Sequence, residues 1–201
     1  MWCLVTDRRR LSSADLPVDA ACRQLVAHVA RAVEAAVDLI LVRERDLEAA
    51  RLAALVSELV SVTRGTGTRV VVNDRTDVAL ASGADGVHLR GDSVAAAAVR
   101  RIVPPGFLVG RSVHSVTEAV EAGPVDYLIA GTVFPTPSKP GLVRCLGLDG
   151  LAAIVQAVAV PVLAIGGLTE ALVDEVAATG SAGVAAIGLF VDRFDRPRAS
   201  S

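Results

Sequence analysis

The sequence predicts an α/β protein of the (β/α)8 TIM-barrel class, in a single domain, on three observations. Short β-type runs alternate with longer Ala-, Leu- and Val-rich stretches of helical period along the whole chain, the pattern of repeated βα units around a parallel sheet. Eight such runs fit in 201 residues, a length that accommodates a closed barrel. The last run is as apolar as the central ones, and none is enriched in Lys or Pro as exposed edge strands tend to be. An open doubly wound sheet is the competing arrangement.

The strands are expected at residues 3–6, 39–43, 69–72, 86–89, 107–110, 127–130, 162–165 and 183–187. Each is a short run of β-branched and aliphatic residues bounded by polar residues or glycine. Helical period fills residues 19–36, 46–63, 75–82, 93–103, 115–122, 148–158 and 169–178. Asp46, Ser93, Ser115 and Thr169 stand where N-caps belong, and Gly83, Gly123 and Gly180 where helices stop. The connection from Gly131 to Gly147 lacks periodicity, is rich in Pro, Gly and Thr, and follows a strand, so it is expected over the functional face. The polar tail at 192–201 is expected to fray.

Composition narrows the function classes. Hydrophobic residues make up 52% of the chain but aromatics only 3%, so the core is aliphatic. Twenty basic and 22 acidic residues give a formal charge of −2 with no long block of one sign, which argues against nucleic acid or an anionic membrane as partner. Charges interrupt every apolar run before the length of a membrane span, and the first residues lack a secretion-signal pattern, so a cytoplasmic location is expected. Cys3, Cys22 and Cys145 have neither disulfide nor zinc spacing and read as free thiols.

The candidate chemistry clusters where strands end, the face on which parallel α/β folds place their sites. Gly110-Arg111-Ser112-Val113-His114-Ser115 sets His114 just beyond a strand, and histidine exchanges protons near neutral pH. Where the strand stops decides whether its ring faces the barrel mouth or the helical layer. Arg43 and Arg45 share one face of the second strand's end and suit a carboxylate or phosphate, although a solvated charge cluster explains them equally well. Asn73 and Asp74 end the third strand, where Asp74 reads first as a helix cap. His88 reads as a packed, hydrogen-bonded histidine, and Asp92 follows it. No segment offers a convincing set of metal ligands. Thr136, Ser138 and Lys139 lie in a proline-spaced loop able to neutralise an anion. Gly166-Gly167 and Gly188 pass from strands seven and eight toward helices, the usual phosphate site of such barrels, with tight turns as the plainer explanation.

Together Arg43-Glu44-Arg45, Asn73 to Asp77, Gly86 to Leu89, Phe134 to Lys139 and Ala164 to Gly167 resemble, in order, the signature segments of the thiamine phosphate synthase and TenI superfamily. The resemblance runs from Leu4 to Ile187 and implies a (β/α)8 barrel of thiamine biosynthesis, often a homo-oligomer, with a phosphorylated thiazole as its small-molecule partner.

Synthases join a pyrimidine diphosphate to thiazole phosphate with magnesium. This chain keeps Asn73 and Asp74 but has Arg45 at the lysine position and Ser93 where the second magnesium aspartate falls, with Asp92 one residue early. The segment at 110–115 resembles instead the TenI branch of thiazole tautomerases. The expectation is therefore a metal-free isomerase without cofactor, in which His114 shuttles the proton. Arg43 or Arg45 would hold a carboxylate, Ser112 and Thr136 would orient the ring, and Gly167, Gly188 and Lys139 would hold the phosphate. The alternatives are a magnesium-dependent synthase using Asp74 and Asp92, and a non-catalytic binder of thiazole phosphate.

Overall fold

The computed structural model describes residues 1–11, 16–136 and 145–190. Eight parallel strands close in sequence order into a barrel: β1 (Trp2–Val5), β2 (Leu39–Val42), β3 (Arg69–Asn73), β4 (Gly86–Leu89), β5 (Leu108–Val113), β6 (Tyr127–Gly131), β7 (Val162–Ile165) and β8 (Gly183–Ala186). Cys3 of β1 sits opposite Leu39 on one side and Ala185 on the other, so the sheet has no edge and the open arrangement is excluded. Seven α-helices are interleaved among the described residues: α1 (Val18–Glu34), α2 (Ala49–Thr63), α3 (Thr76–Ala81), α4 (Ala96–Arg100), α5 (Val116–Val120), α6 (Gly147–Ala157) and α7 (Val173–Ala178). None of the described helices is long and apolar enough to cross a membrane.

The period of two splits the strands' apolar residues into two buried sets. Val5, Leu41, Val71, Ile129 and Leu163 fill the barrel interior. Their neighbours Leu4, Ile40, Val72, Leu128 and Ala164 face outward onto Leu25, Val56, Leu59, Leu151 and Ile154 of the helices. Burial on both faces explains why the strands read as continuous aliphatic runs. The chain's single tyrosine, Tyr127, is the exception inside the barrel. A Cβ on Gly110 would stand 2.1 Å from its ring, so the glycine makes room for Tyr127 to cross the interior.

Several boundaries differ from the sequence expectation for local reasons. Strand β5 runs on through Arg111, Ser112 and Val113, because this stretch pairs with β6 as far as Ala130. Asp46 does not cap α2, which starts at Ala49, because Arg8 binds its carboxylate. Ser93 does not cap a helix either; α4 starts at Ala96, and the Ser93 hydroxyl donates to Asp74. Asp74 is likewise not the cap of α3, and its φ of 64° marks a tight turn. Ser115 does cap α5, accepting the Glu118 N–H at 3.1 Å. Gly83, Gly123 and Gly180 all have positive φ beyond helix ends, as their stop role requires.

A buried charge cluster fastens the loops after β1 and β2. Arg8 and Glu44, each 4% exposed, pair at 2.7 Å, and Glu44 also accepts from the Thr6 hydroxyl at 2.7 Å and the Arg8 N–H at 3.1 Å. With Glu44 turned to Arg8 on the outward side of the chain, Arg43 and Arg45 are left on the side of the barrel mouth.

Candidate active site

The loops at the strands' C-terminal ends surround a cleft of about 1770 Å3. Its floor continues the inward series of each strand: Arg43 follows Leu41 by two residues, Asn73 follows Val71, and Ser112 follows Gly110. The extension of β5 carries that alternation two residues further, so His114 also lines the cleft rather than the helical layer. Arg43, Arg45, Asn73, Ser112, His114, Thr136, Gly166, Gly167 and Gly188 all meet there. Ser138 and Lys139 lie outside the described residues.

Arg43 is half-buried, and burial, aided by the neighbouring Arg45 charge, pushes its pKa down. Neither guanidinium has a carboxylate partner among the described residues, so both charges remain available to an anionic ligand.

His88 is the packed histidine that the sequence suggests. It is 2% exposed, its Nδ1 lies 3.2 Å from the Tyr127 hydroxyl and its Nε2 2.8 Å from the Ser112 hydroxyl. Burial drives its pKa down to about 3, so the ring is neutral at ordinary pH. A neutral ring has one donor and one acceptor, so one hydroxyl donates to it and the other accepts. His114 is exposed in the cleft. Its Nδ1 hydrogen-bonds the Gly131 carbonyl and its backbone N–H donates to Glu118 at 2.8 Å. Because a carbonyl only accepts, Nδ1 is the donor in this contact, and Nε2 is the ring nitrogen left for a ligand.

Gly166 and Gly167 line the cleft with φ of 102° and 66°. A Cβ on Gly167 would meet the Pro135 carbonyl oxygen at 2.5 Å and that of Phe134 at 2.7 Å. These glycines therefore let the loop after β6 lie against the loop after β7, a packing duty that requires no ligand. At Gly188 the space is open, with the Arg10 guanidinium the nearest group at 3.8 Å from a notional Cβ.

The loop after β1 was not among the sequence candidates, yet it sends Arg9 and Arg10 into the cleft. The signal was three consecutive arginines directly beyond a strand, the same pattern that singled out Arg43 and Arg45. Arg90 was also missed. It lines the cleft, binds Asp92 through Nε at 2.9 Å and lies 3.8 Å from Asp74.

A closed parallel barrel whose C-terminal mouth carries, among the described residues, arginines without carboxylate partners on one side and glycine turns on the other has the (β/α)8 enzyme-type scaffold. The family model described as thiamine monophosphate synthase matches residues 15–190, and the chain belongs to that family, TMP-TENI. A thiamine-phosphate synthase of Roseiflexus castenholzii is 38% identical over 194 residues, covering 96% of this chain and 81% of the relative. One from Clostridium botulinum is 34% identical, covering 96% and 90%. Among solved structures, thiamine phosphate pyrophosphorylase from Pyrococcus furiosus superposes with a TM-score of 0.78 at 35% identity, over 93% of this chain and 85% of that one.

Proposed function

We propose that the chain is a thiamine-phosphate synthase, a transferase joining a hydroxymethylpyrimidine diphosphate to a thiazole phosphate. The synthase names of the relatives move the balance from the isomerase expectation to this alternative. The observation that carries it is the presence of two anion-receptive ends in one cleft. Arg43, Arg45, Asn73 and Ser112 gather at β2, β3 and β5, while Gly167, Gly188 and Arg10 gather across the mouth. At about 1770 Å3 the cleft exceeds the roughly 300–1,000 Å3 of a typical single-ligand pocket, which suits two phosphorylated substrates side by side.

The reaction forms a C–N bond between the thiazole nitrogen and the pyrimidine methylene carbon as the C–O bond to diphosphate breaks, its electron pair leaving with the diphosphate. Arg43 and Arg45 bind the diphosphate and stabilise the charge that it gains. Asn73 and Ser112 orient it, Ser112 being held by His88. Gly167, Gly188 and Arg10 bind the thiazole's phosphate, and Thr136 completes the anion contacts. Holding both partners in line supplies most of the acceleration, since no proton transfer is needed.

Magnesium belongs with this reading, and the residues fit it. Asp74 and Asp92 both face the Arg90 guanidinium, so two carboxylates lie beside one cation and would hold the metal. Magnesium ordinarily takes one or two carboxylates and completes its shell with substrate phosphate oxygens and water, so two hard oxygen donors suffice even though no cluster of three acidic, His or Cys residues occurs among the described residues. When bound, the ion neutralises part of the departing diphosphate's charge. The test is thiamine phosphate formation from the two substrates. Turnover that disappears with EDTA and returns with Mg2+ supports the reading; no product at any metal concentration overturns it.

The thiazole tautomerase remains a second reading because of one observation: His114 lines the cleft with its Nδ1 on the Gly131 carbonyl, which leaves Nε2 for a ligand. There His114 removes and returns a proton without metal, and Arg43 or Arg45 holds the carboxylate. A dihydrothiazole tautomer offered in EDTA distinguishes it: aromatisation that is lost in His114→Ala supports the isomerase.

A further inference from the structure

We infer that Arg90 serves as the resident cation of the Asp74 and Asp92 carboxylates, keeping divalent metal out until a diphosphate draws the guanidinium away. The inference rests on the synthase reading, which supplies the diphosphate.

Arg90 uses its whole fork on these acids. Nε and Nη2 bind the two Asp92 oxygens and Nη1 faces Asp74 Oδ2 at 3.8 Å. The remaining Asp74 oxygen accepts the Ser93 hydroxyl. All four carboxylate oxygens thus have partners within the protein, and a metal has to displace one of them.

The arrangement is also pinned from below. The Arg111 guanidinium donates to the carbonyl oxygens of Gly91 at 3.0 Å, Val94 at 3.1 Å and Ser93 at 3.3 Å, which fixes the loop that carries Asp92. The Arg90 side chain is itself 42% exposed and lines the cleft, so it can swing to a ligand while the loop stays in place. A diphosphate accepts the same bidentate fork that a carboxylate does. Once Arg90 has turned to it, Asp74 and Asp92 regain free oxygens that would hold a divalent ion together with the diphosphate.

Mn2+ binding by the protein alone tests this, read from the paramagnetic resonance signal of the free ion. Removing a unit positive charge a few ångströms from a divalent ion in water should tighten binding about tenfold after screening. Arg90→Gln is expected to gain about that factor over wild type. Arg90→Lys, which keeps the charge but loses the fork, should gain less, and Arg90→Gln combined with Asp92→Asn should fall back to the wild-type value. Titrating inorganic pyrophosphate into the wild-type protein should move the Arg90 Nε–H resonance. Equal Mn2+ affinity in wild type and Arg90→Gln, a gain that survives loss of Asp92, or an Arg90 resonance indifferent to pyrophosphate overturns the inference. Failure of the synthase reading appears separately, as absent product from the wild-type protein with Mg2+.

Discussion

The Nε2 of His88 lies 2.8 Å from the Ser112 hydroxyl, and the opposite ring nitrogen lies 3.2 Å from the Tyr127 hydroxyl. A buried relay from β6 through β4 to β5 therefore aims one hydroxyl into the cleft. Gly110 is part of it, since only a residue without a side chain leaves space for the Tyr127 ring. Ser112→Ala should leave the fold intact and lower turnover by about tenfold, the worth of one hydrogen bond to a charged ligand. Steady-state kinetics beside an unchanged circular dichroism spectrum checks it.

The same histidine ties stability to pH. Its pKa in the folded protein is about 3, against 6.5 for the free side chain, because burial disfavours the charged ring. Between those values the unfolded chain binds a proton that the folded protein declines. Stability attributable to this group is thus present in full above pH 6.5 and lost as pH falls toward 3, at about 1.4 kcal/mol per pH unit inside the window. Urea unfolding of wild type and His88→Gln at several pH values measures it. The glutamine variant should show the shallower dependence, and parallel curves would remove His88 as the cause.

Arg43 and Arg45 should dominate diphosphate binding. Arg43→Ala is expected to weaken the binding of inorganic pyrophosphate by about ten- to a hundredfold, as loss of a charge-assisted hydrogen bond does. Titration calorimetry at low and high salt reads both the affinity and its electrostatic share. A variant with wild-type affinity would place the diphosphate elsewhere in the cleft.

The barrel was legible because period-two and period-3.6 patterns alternate cleanly and each strand is buried on both faces. The lining of the cleft was legible wherever a polar residue broke an inward apolar series, as Arg43 does after Leu39 and Leu41. Pairing was not legible. Asp46 and Ser93 read as caps because their neighbours in sequence allow it, but Arg8 and Asp74, distant in sequence, claim their side chains. The extent of β5 escaped for a similar reason: Arg111 and Ser112 look like loop residues until the partner strand β6 is in place.

Glu44 illustrates the cost of such hidden pairing. Arg8→Ala would leave its carboxylate, 4% exposed, with the Thr6 hydroxyl and a backbone N–H but no counter-charge. Removing one member of a buried ion pair typically costs about 3–5 kcal/mol. Chemical denaturation should show a loss of that size, and Arg8→Met with Glu44→Leu should recover much of it because neither charge is then stranded.

Gly167→Ala separates the two duties of the glycine turn after β7. The residue has φ of 66°, a region that costs an L side chain about 1–2 kcal/mol. The new Cβ would also point at the carbonyl oxygens of Pro135 and Phe134, 2.5 and 2.7 Å away, both backbone atoms that move only with their loop. That loop carries Thr136 into the cleft. If loop packing is the main duty, the variant should lose about 2 kcal/mol or more of stability and bind both thiazole phosphate and inorganic pyrophosphate more weakly. If the glycine acts only as a phosphate cradle, stability should stay within the strain cost of the φ angle and only thiazole phosphate binding should fall. Denaturation curves and the two binding constants, measured on one preparation, decide between them; the crowding by Phe134 and Pro135 favours the first result.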